Sequence, residues 1–294
     1  IAVAAGVLRT EDLEIRGPAA RVKMTGAADV VAETQDLRVQ VQPTLSESIA
    51  IGAAAGLLNP AVGVITYLAQ KVLSDPIEKL FAFEYAVTGA WSDPQVAKRG
   101  QVPELAMQAA QKKLGAGQKL FVVFCGVFRE EYSRKVFSEG AARLMPDVGF
   151  ALLDGANAAE RKAVLSGADV FMFLIDNIQE TFGLAPLEGM AAGLPLLVSD
   201  WDGMKDTVTP DVGFRITSRT LPGPHLAQEA LRYQGGYDSY VQYCSIASAM
   251  TEIDMGELTA RIVDLAQNPG LRRKMGAAGQ ARARALYDWS RIIP

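Results

Sequence analysis

The sequence predicts an α/β protein in two parts: a small antiparallel β segment with a pair of apolar helices, followed by a doubly wound parallel sheet. Three observations lead to this prediction. Apolar residues recur at every second position up to about residue 100, and strands alternate with helices after it. A charge-free apolar run, Ser48 to Gln70, interrupts the first part. The predicted domains are therefore 1–100 and 101–294.

The first part has the pattern of half-buried antiparallel strands with one face in water. Its apolar residues with period two are Leu13 and Ile15, then Val22 and Met24, then Leu37, Val39 and Val41, and finally Phe81, Phe83, Tyr85 and Val87. Between the last two groups, Asn59-Pro60 divides the apolar run. Two short apolar helices are predicted there; a membrane contact through residues 49–70, a plug for a groove and plain packing onto the sheet all stay open. The apolar run from Ser48 to Gln70 is also long enough for a transmembrane helix, which stays open as an alternative.

The second part has the alternation of strands and helices that is typical of βαβ units. The predicted strands are 120–127, 149–153, 170–175 and 196–198, and the predicted helices are 103–116, 130–145, 158–168 and 257–286, the last with a break at 268–270. Residues 219–248 contain Gly, Pro and Tyr and interrupt this order, so they are predicted to be an insertion. Ligands of such sheets bind at the carboxyl ends of the strands.

Composition excludes several classes of function. The net charge of −4 gives no electrostatic reason to bind nucleic acid. Cys125 and Cys244 lie far apart, so neither a disulfide framework nor a zinc site is supported. The single histidine, His225, lies in a Pro- and Gly-rich loop, which argues against a Ser-His triad. The chain begins at Ile1 without a methionine, so we expect the natural start to be missing or removed.

The stretch between Asp169 and Asp200 carries the strongest functional signal. An apolar strand is followed by Glu180-Thr181-Phe182-Gly183-Leu184, then by Pro186 at the predicted first helical position and by Glu188 in the first helical turn. A strand, a glycine turn and a helix N-terminus together form an anion site. Glu180 and Glu188 flank this turn, and carboxylates accept hydrogen bonds from sugar hydroxyls. The pattern suits a nucleotide diphosphate-sugar; an ordinary βα unit with surface glutamates is the alternative.

These residues resemble the Glu-x7-Glu signature of the family-4 glycosyltransferases of the GT-B fold. The resemblance runs from about residue 103 to 293 and includes Asp200-Trp201-Asp202-Gly203 and Gly213-Phe214-Arg215. It implies a Rossmann-like parallel sheet, the C-terminal, nucleotide-sugar-binding domain of that fold. It also implies transfer of a sugar from a nucleotide diphosphate-sugar to an acceptor hydroxyl with retention, with no metal and no other cofactor. Nucleotide, sugar and acceptor stay open.

The resemblance also assigns roles to residues. Glu180 is expected to contact the donor sugar and is the candidate catalytic residue, and Glu188 is expected to bind the ribose hydroxyls. The donor-sugar and nucleotide site is predicted to consist of Asn177, Glu180, Thr181, Phe182, Gly183, Leu184 and Glu188. A role for Asn177 in capping the loop is equally open. Lys205 is either a phosphate partner or a solvated surface lysine.

Counting strands indicates that this domain is incomplete. Members of the family carry three strands before the one that leads into the Glu-x7-Glu loop, whereas only 120–127 and 149–153 are found here. We therefore expect the first strand to be missing, together with its loop, whose Gly-Arg and Lys neutralise the diphosphate, and the acceptor domain. Activity is expected to be weak or absent. The segments Val3–Val7 and Phe81–Val87 are candidates to fill the gap.

The first part resembles the C-terminal end of AsmA-like envelope proteins of the YhdP type. The matching pieces are GPAARVKMTG, AETQDLRVQVQP, NPAVGVITYLAQKVLSDPIEKLF and YAVTGAWSDPQV. This resemblance implies a bacterial periplasm or envelope, whereas nucleotide-sugars are cytoplasmic. Two alternatives to a glycosyltransferase therefore stand: a non-enzymatic envelope or lipid-transport fragment, and a composite of two unrelated genes with no selected joint function.

Overall fold

The computed structural model describes residues 1–16, 20–43, 83–100, 104–128, 131–177, 180–288 and 290. The chain forms two compact units. The first comprises Ile1–Pro103 and Phe128–Arg143, and the second comprises Glu104–Val127 and Leu144–Pro294. The predicted apolar helical pair and the membrane contact at 49–70 lie outside the described residues.

The first unit contains a six-stranded antiparallel sheet whose strands follow one another in chain order. They are β1 (Ala2–Ala4), β2 (Val7–Arg16), β3 (Ala20–Asp29), β4 (Thr34–Pro43), β5 (Phe83–Ala90) and β6 (Asp93–Arg99). Val39 lies opposite both Met24 and Tyr85, and all three are buried. On the other face Arg38 forms an ion pair with Glu84 at 3.2 Å. The predicted alternation of a buried and a wet face is confirmed.

The second unit contains five parallel strands in two separate sheets. β7 (Phe121–Gly126) pairs with β8 (Gly149–Asp154), and the other sheet has the order β11-β10-β9. These three strands are β9 (Phe171–Phe173), β10 (Leu196–Ser199) and β11 (Gly213–Ile216). Among the residues that the structure describes, no strand joins β7 to β9. Val3 and residues 83–87 belong to the antiparallel sheet, so neither candidate segment fills this position.

Nine α-helices are seen in the described parts of the chain. They are α1 (Ala106–Lys113), α2 (Glu131–Leu144), α3 (Ala158–Gly167), α4 (Leu184–Ala191), α5 (Met204–Thr207), α6 (Ala227–Gln234), α7 (Tyr240–Ser248), α8 (Met255–Gln267) and α9 (Pro269–Leu286). None of these helices is both long and apolar enough to cross a membrane. A doubly wound sheet leads one to expect α2 against β7 and β8, yet most of α2 belongs to the first unit.

The predicted insertion forms a helical hairpin on a small antiparallel ribbon. Strands β12 (Ser218–Thr220) and β13 (Thr251–Ile253) pair with each other, and α6 and α7 lie between them in the chain. Helix α7 begins with a capping box in which Ser239 accepts from the backbone of Gln242 and the Gln242 side chain accepts in return. The predicted break in the last helical region is confirmed at Asn268, where Pro269 begins α9.

The core of the second unit is built around β10, whose four residues are all buried. Leu197 packs in a cluster with Ile216 and Leu265 on one face, and Leu196 and Val198 pack with Met190 on the other. Helix α1 packs against α8, and α9 packs against α4. A parallel strand that is covered on both faces is apolar throughout, which explains the uninterrupted Leu-Leu-Val sequence. The prediction of an α/β fold is confirmed.

Candidate functional site

The loop that follows β9 is tied to the turn after β10 through its backbone. The Trp201 side chain donates from Nε1 to the carbonyl oxygen of Asn177 at 3.0 Å. The amide of Glu180 donates to the same oxygen at 3.0 Å. The hydroxyl of Ser199 also donates to the carbonyl of Ile175. The backbone of Asn177 thus anchors the loop.

Glu180 closes the N-terminus of α4. Its Oε1 accepts a hydrogen bond from the amide of Gly183 at 2.8 Å. Gly183 precedes the helix in the left-handed region, with φ of +76°, where a side chain would be strained. In the described part of the chain the amides of Leu184 and Ala185 meet no acceptor, as expected for a first helical turn. One of the donors predicted to bind an anion is therefore occupied by the chain's own carboxylate.

A second turn and an aromatic contact hold the rest of the loop. A Cβ on Gly203 would overlap the carbonyl of Thr181, so only glycine permits this approach of the two backbones. The Phe182 ring lies edge-on to Tyr287, with ring centroids 5.9 Å apart. Leu184 is 65% exposed. The structure therefore brings residues 181–183 against the turn after β10 and against the end of α9, and leaves the side chain of Leu184 in solvent.

Glu188 lies in the second turn of α4, and its environment differs from that of Glu180. Its side chain is exposed and lines an open groove between α3 and α4. Glu180, in contrast, is half-buried in the loop. Glu180 is thus bound to the residue that precedes α4, whereas Glu188, which was predicted in the first turn, is the fifth residue of the helix and faces the neighbouring helix. Pro186 occupies the third helical position instead of the first, where its missing N–H still costs no hydrogen bond.

Charged groups near the loop come from the ends of several strands. Asp176, just after β9, is half-buried, and this burial raises the pKa of its carboxyl. Arg215 forms an ion pair with Asp200 at 3.3 Å and donates to the carbonyl of Lys205 at 2.6 Å. The side chain of Lys205 is exposed. Across the described ranges, no group of three or more His, Cys, Asp or Glu side chains is placed to hold a metal ion.

Several residues of this site were not predicted. Trp201 and Gly203 lie within the Asp-Trp-Asp-Gly motif, but their contacts with Asn177 and Thr181 depend on the fold. Tyr287 is 105 positions from Phe182 in the chain, so no local pattern relates the two. A helix-period analysis of 158–168 indicates which side chains share a face of α3, but not that this face adjoins Glu188.

Two family models match the chain. Residues 1–96 match the model of the YhdP protein, and residues 98–221 match that of the glycosyl transferases group 1. The chain is 32% identical over 91 residues to the intermembrane phospholipid transporter YhdP of Escherichia coli strain K12. This match covers 31% of the chain and 7% of that relative. The two resemblances seen in the sequence are thereby confirmed.

Among solved structures, the chain is similar to a sucrose-phosphate synthase from Thermosynechococcus elongatus, at 22% identity and a TM-score of 0.40. The similarity covers 64% of the chain and 38% of that protein. The chain is also similar to HepE from Anabaena, solved in complex with UDP-glucose, at 20% identity and a TM-score of 0.29. That similarity covers 62% of the chain and 44% of HepE.

Proposed function

We propose that the second unit binds the donor of a glycosyl transfer, a nucleotide diphosphate-sugar. One observation carries this proposal: within the region that matches the glycosyl transferases group 1, two free amides at the start of α4 lie between Glu180 and Glu188. Free amides at a helix N-terminus favour a phosphate, and carboxylates favour sugar hydroxyls. A nucleotide-sugar presents both kinds of group.

In this proposal the predicted residues take distinct roles. Glu180 contacts the donor sugar through the oxygen that does not bind Gly183, and Glu188 accepts from the ribose hydroxyls. When the acceptor attacks the donor sugar, negative charge develops on the departing diphosphate. The amides of Leu184 and Ala185 stabilise this charge. Residues 177 and 181–183 shape the loop. The transfer proceeds with retention and without a metal ion.

The same proposal assigns the chain weak activity or none. In the described parts of the chain β7 pairs only with β8, and β9 only with β10, which supports the expectation that the strand with the basic loop for the diphosphate is missing between them. Charge-assisted hydrogen bonds contribute roughly 1.5–3 kcal/mol each, so two missing contacts weaken binding by several kcal/mol. Such a loss shifts a micromolar site toward the millimolar range. We therefore propose donor binding, with transfer limited by the incomplete site.

Calorimetric titration of the full chain with UDP, GDP and ADP tests this proposal. We expect one nucleotide to bind and Glu188→Ala to abolish its binding. The matched control is Glu139→Ala, which removes an exposed helical glutamate in the first unit. Loss of binding in both variants, or equal binding in the parent chain and Glu188→Ala, would contradict the assignment of Glu188. Absence of binding at millimolar nucleotide would contradict the proposal itself.

A second candidate function follows from the match of residues 1–96 to the YhdP model. We propose that the first unit is a non-enzymatic envelope segment related to phospholipid transport, with a periplasmic location, whereas donor binding by the second unit belongs to the cytoplasm. In this proposal the first unit contacts a membrane, and the identity of the sugar acceptor is left open. Circular dichroism of residues 101–294 alone would show helices and strands if the donor unit folds independently of the envelope segment.

The composite origin is tested at the level of DNA. The two family matches meet between residues 96 and 98, without a Gly/Ser- or Pro-rich spacer. Genomic DNA read across the codons for residues 90–110 in independent clones tests whether an assembly error joined two genes. The same join in every clone would overturn the assembly-error version of the composite, whereas clones that differ at this join would support it.

A further inference from the structure

An open groove runs between helices α3 and α4 of the second unit. Its volume is about 430 Å³, within the range of roughly 300–1,000 Å³ that is typical of small-molecule sites. Arg161 and Lys162 line it from α3, and Glu188 lines it from α4. Ala158, Leu165 and Ala191 add apolar surface. The groove therefore combines two cations, one carboxylate and an apolar strip.

Arg161 is held at the edge of the sheet where ligands bind. Its Nη1 donates to the carbonyl of Gly155 at 2.5 Å, and Gly155 directly follows β8. The carboxyl ends of parallel strands are the binding edge of such sheets. No carboxylate among the described residues forms an ion pair with Arg161, so its remaining donors are available. A cation near a helix N-terminus is disfavoured by the helix dipole, which an anionic ligand would offset.

The other charges of the groove are also without ion pairs. Neither Lys162 nor Glu188 has a side-chain hydrogen bond or an ion pair in the described parts of the chain. The nearby carboxylate of Glu160 is already engaged, since it accepts from the amide of Asp154 at 2.7 Å and from the Asn157 side chain at 3.0 Å. The two cations and Glu188 therefore face one groove without neutralising each other at contact distance.

The geometry points to a nucleoside diphosphate as the occupant of this groove: we propose that Arg161 and Lys162 hold its phosphates while Glu188 accepts from its ribose hydroxyls. Guanidinium and ammonium groups suit phosphate oxygens, and a carboxylate suits a diol but repels a phosphate. The opposite charges of the two helices thus orient the ligand, with its phosphates toward α3 and its ribose toward α4. This inference rests on the proposed donor function: it adds two cationic side chains to the amides of Leu184 and Ala185 as contacts of the diphosphate.

The test compares two adjacent Arg-Lys pairs. Arg161→Gln/Lys162→Gln removes the pair in the groove, and Arg134→Gln/Lys135→Gln removes an equally exposed pair from α2 in the first unit. Calorimetry with UDP, GDP and ADP should show at least a roughly tenfold rise in Kd for the first variant and no change for the second. The corresponding nucleoside, which has no phosphate, should bind both variants and the parent chain equally. Inorganic pyrophosphate should compete with the nucleotide in the parent chain.

The outcomes separate this inference from the function on which it rests. If Glu188→Ala abolishes nucleotide binding while Arg161→Gln/Lys162→Gln retains the parent Kd, the donor function stands and the groove assignment is wrong. A tenfold loss in Lys205→Gln alone would place the phosphates at the turn after β10 and would also overturn it. Absence of nucleotide binding in the parent chain overturns both. Thermal unfolding of each variant confirms that the substitutions leave the fold intact.

Discussion

The two parallel sheets of the second unit differ in how completely they are buried. Every residue of β10 is buried, whereas no residue of β7 or β8 is, and Phe121 in β7 is 62% exposed. Both sheets have the same strand polarity and similar apolar sequences. A strand of a parallel sheet is fully buried when it has a neighbouring strand on each edge and both of its faces are covered. β10 has both, whereas among the described strands β7 pairs only with β8, and most of α2 belongs to the first unit.

The largest expected difference concerns matched leucines in the two sheets. Leu196→Ala in β10 removes a fully buried side chain and should lower the free energy of unfolding by about 3 kcal/mol, because it leaves a cavity. Leu152→Ala in half-buried β8 should cost about 1 kcal/mol, since solvent already reaches the site. Urea unfolding followed by circular dichroism measures both values. Equal costs would show that β8 is as well packed as β10 in solution.

A smaller difference is expected for two glycines that contact backbone. A Cβ on Gly203 would overlap Thr181, and a Cβ on Gly155 would lie 2.8 Å from the Cα of Gly126. Gly203→Ala should cost about 2 kcal/mol and weaken nucleotide binding, because it displaces the loop that precedes α4. Gly155→Ala should cost less than about 1 kcal/mol, since the loosely packed β7 and β8 can shift. The same unfolding and titration experiments apply, and a costlier Gly155→Ala would reverse the comparison.

The smallest effect is chemical and concerns the two thiols. Cys125 in β7 is partly exposed, whereas Cys244 in α7 is 7% exposed, so a disulfide reagent should modify Cys125 first. Burial, with a contribution from Glu160, raises the pKa of the Cys125 thiol. Because the thiolate is the reactive form, the rate should keep rising with pH above the usual thiol range. Mass spectrometry identifies the modified residue, and Cys125→Ser should remove the faster phase. Faster modification of Cys244 would contradict the expected openness of β7.

Much of the fold was predictable because its signals are local. The alternation of residues in β3 to β5, the apolar run of β10 and the break before Pro269 each follow from the sequence around them. Strand counting found β7 and β8 as the strands that precede β9. The assignment of most of α2 to the first unit was not predictable, since the period of a helix does not reveal which sheet covers it.

The candidate site was predictable in outline for a similar reason. Glu180, Gly183 and Glu188 lie within nine consecutive residues of a strand-turn-helix pattern. The different environments of the two glutamates depend on the fold: Glu180 accepts a hydrogen bond from the amide of Gly183, and Glu188 faces α3. Arg161 approaches the site from a helix that precedes β9 in the chain. No spacing in the sequence relates it to Glu188, because only the packing of α3 beside α4 does so.

The bond between Glu180 and Gly183 has a consequence for ligand design. Residues 180–184 keep their shape through contacts within the chain, so a small molecule that reaches them has little loop entropy to overcome. Rigid molecules that are complementary to residues 180–184 should therefore bind more tightly than flexible ones. Since the amide of Gly183 is already used, we expect an anionic group that reaches this loop to meet the amides of Leu184 and Ala185. A hydroxyl donor fits best beside the remaining carboxylate oxygen.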